Sequence, residues 1–115
     1  QKPVAVLINR RTYSAANAFT MYMKTIPGVI LVGDRTGGGS GLPFSSELPG
    51  GWSIRLSASP TLDVNGEHTE FGIAPDVRSH LGANDRLNGK DSMIETAVHE
   101  LRARHDSLSK AAALR

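Results

Sequence analysis

Residues 3–32 read PVAVLINRRTYSAANAFTMYMKTIPGVILV, and the change of hydrophobic period inside this stretch decides the fold class. Pro3-Val4-Ala5-Val6-Leu7-Ile8 is an unbroken apolar run rich in branched residues, the pattern of a strand covered on both faces as in α/β sheets. Asn9-Arg10-Arg11-Thr12 ends it. From Ser14 the period becomes helical: Ala15, Phe19, Tyr22 and Ile26 fall at i, i+4, i+7 and i+11 and form one stripe. Ser14 stands where an N-cap belongs, and Pro27-Gly28 closes the helix. Val29-Ile30-Leu31-Val32 is a second short buried strand. Together these make a βαβ unit, for which a parallel pair with a right-handed crossover is expected.

Downstream the chain loses its periodicity. Gly33 to Gly51 reads as one long loop, because glycines and prolines crowd it; of the chain's 12 glycines, half (Gly37, Gly38, Gly39, Gly41, Gly50 and Gly51) lie between residues 37 and 51. Loops of this length in compact domains are usually functional. Trp52, Ile54 and Leu56 alternate with Ser53, Arg55 and Ser57, a half-exposed strand. Asn65-Gly66 is the dipeptide of a tight hairpin turn, and Phe71 to Val77 reads as an extended tail. A last helix capped by Asp91 or Ser92 presents Met93, Ile94, Ala97, Val98 and Leu101.

The 115 residues allow one modest core. Thirteen Lys and Arg against 11 Asp and Glu leave a net charge of +2, and only 5% of residues are aromatic. That is too sparse a basic, stacking surface for nucleic acid. The longest apolar run is far short of a membrane span, and no signal peptide is recognisable. Without cysteine there is no disulfide, thiolate metal site or Cys nucleophile.

Three constellations bear on chemistry. Ser14, directly after a strand and opening a helix, is either an ordinary N-cap or a nucleophile with the first amide of the helix, that of Ala15, beside it to hold an oxyanion. Gly37-Gly38-Gly39 is either a flexible linker or a wall where a peptide backbone comes close. The phosphate-loop pattern fails, since Gly39 stands where Lys is required, and the dinucleotide pattern fails at Leu42. His99-Glu100 begins a zinc-protease motif that Ala103 breaks. Of the four histidines only His68, which shares a segment with Glu67 and Glu70, is placed as a possible base.

Taken in order, these pieces resemble the protease domain of the S41 family, the carboxyl-terminal processing and tricorn-type serine peptidases. The matching segments are Pro3 to Asn9, the nucleophile turn Thr12-Tyr13-Ser14-Ala15-Ala16-Asn17, Val32-Gly33-Asp34-Arg35-Thr36-Gly37-Gly38-Gly39, and Glu70-Phe71-Gly72-Ile73-Ala74-Pro75-Asp76-Val77. The resemblance implies an α/β, ClpP/crotonase-like fold of βαβ units with a mixed sheet. Residues 1–105 are then the C-terminal part of the peptidase domain, and 106–115 a tail or helix extension. It implies Ser14 as nucleophile, the Ala15 amide in the oxyanion hole, Glu70 as the acidic member, and Gly37, Gly38 and Gly39 beside the substrate, with no cofactor and no metal.

The sequence also departs from the family. The processing proteases carry a lysine base where this chain has Gly39, so a Ser-Lys dyad is absent. The triple glycine is similar to the tricorn-type branch, in which a His from sequence before the nucleophile strand, here before Gln1, is the base. Asn17 stands where many members have Glu. The implied partners are a peptide or protein substrate and the remainder of the peptidase domain, and the implied location, in a bacterium, is the periplasm or cell envelope. A non-catalytic member of the same fold, binding a peptide or other ligand, is the second reading.

Overall fold

A computed structural model describes residues 2–85 and 87–113. The βαβ unit is present as β1 (Val4–Ile8), α1 (Ala15–Lys24) and β2 (Val29–Gly33), with the strands parallel from Val4 opposite Val29 to Ile8 opposite Gly33. Next come an antiparallel hairpin of β3 (Phe44–Leu48) and β4 (Trp52–Leu56), a single 3₁₀ turn at Thr69–Phe71, β5 (Val77–Arg78) and α2 (Ser92–Ala113). β5 joins β2 in parallel, so the pairings divide between a three-stranded sheet ordered β1-β2-β5 and the separate hairpin. The fold class is the expected one.

β2 is the centre of the core because α helices cover both of its faces. Leu31 packs with Ile8, Met21 and Ile73 on the α1 side, while Ile30 and Val32 pack with Ala97 on the α2 side. Each of these β2 side chains, fully buried, contributes about 1.5–3 kcal/mol. Asp76 completes the strand's hydrogen bonding. Its backbone N–H donates to the Leu31 carbonyl at 2.9 Å, and its carboxylate accepts from the Leu31 N–H at 2.8 Å. Asp76 thus satisfies both the N–H and the carbonyl of Leu31 just before β5 begins.

Several expectations are corrected. β1 is covered on both faces only in part: Val6 packs on the α1 side and Ala5 on the α2 side, but the strand is a sheet edge, with Val4 and Leu7 each 43% exposed and Ile8 alone buried. α1 ends at Lys24, before Ile26, and Phe19, Tyr22 and Ile26 are all exposed, so the buried face of the helix carries Asn17, Thr20 and Met21 instead. Asn17 meets the backbone of residues 69–73, which needs a polar partner, Thr20 satisfies its hydroxyl on the Ala16 carbonyl of its own helix, and Met21 packs with Ile73. The long loop from Gly33 to Gly51 contains β3, whose Phe44-Ser45-Ser46-Glu47-Leu48 finds its partner in β4. Residues of β4 are all exposed, rather than half of them. The Asn65-Gly66 turn forms, with the Gly66 N–H donating to the Asp63 carbonyl, but only an isolated bridge between Leu62 and His68 flanks it.

At α2, Asp91 is the cap, its Oδ1 accepting from the N–H groups of Met93 and Ile94 at 3.0 Å each. Met93 and Ala97 are buried, while Ile94 and Val98 of the expected apolar face remain exposed.

Candidate active site

Ser14 is not an ordinary cap. Its hydroxyl makes no capping bond, and its backbone lies at φ 56°, ψ −119°, a conformation that costs a non-glycine residue roughly 1–3 kcal/mol. The residue itself is exposed. Among the described residues, the Ala15 N–H beside it has no hydrogen-bond partner, as is also true of the Asn17 N–H, while Ala16 donates to the Tyr13 carbonyl and Ala18 to that of Ser14. An exposed hydroxyl and an unengaged amide therefore stand side by side at the start of α1, where the helix N-terminus favours negative charge.

One peptide unit links this turn to Glu70. The Gly38 carbonyl accepts from the Ser14 N–H at 2.8 Å, and the Gly39 N–H of the same peptide bond donates to the Glu70 carbonyl at 3.2 Å. Close approach explains the triple glycine. A Cβ at Gly37 would collide with the Arg10 carbonyl, one at Gly38 with the Glu70 carbonyl, and one at Gly39 with the Tyr13 ring. Gly38 and Gly39 also sit at φ 75° and 74°, where side chains are disfavoured.

Ser14, Gly39 and Glu70 meet at a cleft of about 280 Å³ completed by Tyr13, Ser40, Pro43, Arg55, Leu56 and Ser57. Gly37 and Gly38, expected beside the substrate, do not line it. His68 is exposed and does not line it, while His99 and His105 lie on α2, beside Glu100 and Asp106 respectively. Arg55 is the cleft's only cation among the described residues, and its guanidinium has no lone pair with which to accept a proton.

Beneath the cleft is a polar layer that the sequence did not reveal. Asn17, one turn after Ser14 and fully buried, donates through Nδ2 to Ser40 Oγ and to the Thr69 carbonyl, each at 3.0 Å. Its Oδ1 accepts from Thr36 Oγ1 at 2.6 Å, and Thr36 Oγ1 accepts from the Ile73 N–H at 2.6 Å. The one available signal was Asn17 and Thr20 at i, i+3, opposite the apolar stripe. Among the described residues no cluster of three or more His, Cys, Asp or Glu is placed to hold a metal, and no helix is long and apolar enough to cross a membrane.

Comparison with known proteins bears on the family and the fold. Residues 1–79 match peptidase family S41. A Parabacteroides merdae protein of known crystal structure is 57% identical, with a TM-score of 0.85 over 91% of this chain and 33% of its own. The tricorn protease shares the fold, with a TM-score of 0.69 at 24% identity over 87% of this chain and 10% of its own. Carboxyl-terminal-processing peptidase 3 of Arabidopsis thaliana, a chloroplastic protein, is 29% identical over 91% of this chain and 23% of its own. The chain thus spans a third or less of the length of each.

Proposed function

Because the chain belongs to peptidase family S41, we propose that it carries the nucleophile-bearing part of a serine endopeptidase, with Ser14 attacking the peptide carbonyl. The observation that supports this most directly is the exposed Ser14 in its strained turn beside the unengaged Ala15 amide. In this reading a base takes the Ser14 Oγ proton as Oγ bonds to the carbonyl carbon. The Ala15 N–H stabilises the resulting oxyanion, and collapse to the acyl-enzyme expels the amine, which receives the proton from the base. Water then releases the acid. Gly39 borders the substrate backbone, Gly37 and Gly38 hold that border in place, and an extended peptide lies along it, adding to strand edges.

The base comes from sequence outside these residues. No His or Lys among the described residues lines the cleft, and a serine hydroxyl needs a positioned base at neutral pH. A His from the remainder of the domain, oriented by Glu70, fills that role. The exposed edge of β1 and the outward stripe of α1 are the surfaces such a remainder covers. For a bacterial protein the fitting location is outside the cytoplasm, in keeping with the family. The same missing base favours a second reading, a non-catalytic binding member of the fold.

Treating the full-length protein with a fluorophosphonate probe and mapping the adduct separates the two. The catalytic reading expects Ser14 to be labelled and Ser14→Ala to be silent. A folded full-length protein that stays unlabelled overturns it in favour of binding.

A further inference from the structure

Residues 69–73, which carry Glu70, are held at six backbone points. The Thr69 N–H donates to the Thr61 carbonyl and the Thr69 carbonyl accepts from Asn17 Nδ2; the Glu70 carbonyl accepts from the Gly39 N–H, the Gly72 carbonyl from Arg35 Nη1 at 2.7 Å, and the Ile73 carbonyl from the Thr36 N–H, while the Ile73 N–H donates to Thr36 Oγ1. Two of these six depend on the side chains of the Asn17–Thr36 pair, and those two join the segment to the helix that carries Ser14. Both side chains are almost wholly buried, Asn17 at 0% and Thr36 at 4% exposure, and Thr69 Oγ1 adds a contact to Ser40 Oγ at 3.1 Å. A buried amide is costly unless satisfied, and here both its nitrogen and its oxygen are used. The acceptors and donors it satisfies belong to the segments on either side of the cleft. Asn17 is also rigidly tied to the nucleophile, one helical turn away on α1.

We propose that Asn17, together with Thr36, is a positioning residue that sets Glu70 against Ser14 and so determines how well Glu70 supports the base. This rests on the peptidase reading above. Asn17 touches no reacting atom. It acts through the Thr69 carbonyl directly and through Thr36 on Ile73, fixing both ends of the turn. Valine at position 36 keeps the shape and loses the hydroxyl; serine keeps the hydroxyl.

The test is kinetic, on the full-length protein with fluorescein-labelled casein. Asn17→Leu is expected to lower kcat about 10²-fold with little change in KM, the scale of effect produced by small misplacements of catalytic groups. Thr36→Val is expected to lower it about tenfold, while Thr36→Ser stays near wild type. In a Glu70→Gln background, Asn17→Leu adds less than about twofold, because residues acting as a unit are non-additive. A merely structural role instead multiplies the two losses. Equal losses from Asn17→Leu in both backgrounds, or Thr36→Val and Thr36→Ser impaired alike, overturn the proposal. Should Asn17→Leu fail to fold, the same cycle with Thr36→Val decides. If Ser14→Ala keeps full hydrolysis or Glu70→Gln leaves kcat unchanged, the peptidase reading itself fails and the positioning role falls with it.

Discussion

At Ser14 the backbone is held at a positive φ that a residue with a side chain rarely adopts, and the cost is testable apart from chemistry. Glycine relieves that conformation, so Ser14→Gly is expected to be more stable than Ser14→Ala by about 1–2 kcal/mol in urea unfolding, although both lack the hydroxyl. Equal stabilities would mean that the turn is unstrained in solution. The position of Ser14 between strand and helix was legible in the sequence because a change of period marks it. Its strain was not, since backbone torsion follows from the Ser14–Gly38 hydrogen bond, a contact between segments distant in sequence. The glycines show the same limit. Their clustering announced a close approach, but what approaches is the chain's own Arg10, Tyr13 and Glu70.

Among the elements, periodicity served best where one partner decides burial. β2 was legible because both of its faces are covered, and so was α2, whose buried Met93 and Ala97 face the sheet. In α1 the apolar stripe does not mark the buried face, because hydrophobic spacing cannot register a polar interior; Asn17, Thr20 and Thr36 are buried with their hydrogen bonds made. β3 was hidden by its short, serine-rich sequence and flanking glycines and proline. The connection into α2 adds a pH-dependent element. The Ser92 hydroxyl, then the Gly82 N–H, hold the Asp85 carboxyl below its ordinary value of 3.8. A carboxylate lowered by folding stabilises the folded state above its unfolded pKa and ceases to do so as pH falls through the folded value. The melting temperature of the wild type is therefore expected to exceed that of Asp85→Asn above about pH 5, with the gap closing below about pH 4. A gap independent of pH would exclude this role for Asp85.

Across the whole molecule, the radius of gyration is 18.5 Å, against about 13 Å for a compact chain of this length. Trp52 is 74% exposed, and the β3–β4 hairpin packs on no other element among the described residues. Residues 1–115 by themselves are accordingly expected to show no casein hydrolysis above a Ser14→Ala control, while the full-length protein hydrolyses it. Activity in the isolated chain that Ser14→Ala removes would show that the base lies within these residues after all.

The hairpin is pinched at its root, where the Gly41 carbonyl accepts from the N–H groups of both Ala58 and Ser59 at 2.8 and 3.0 Å. Chain leaves and re-enters at one point, so the arm is modular. Arms of other length or composition are expected to be accommodated between Gly41 and Ala58 without disturbing Ser14, the Gly38–Gly39 peptide or Glu70. Only the Pro43, Arg55, Leu56 and Ser57 side of the cleft travels with the arm, which, on the peptidase reading proposed above, would let selectivity diversify while Ser14 and Glu70 stay where they are.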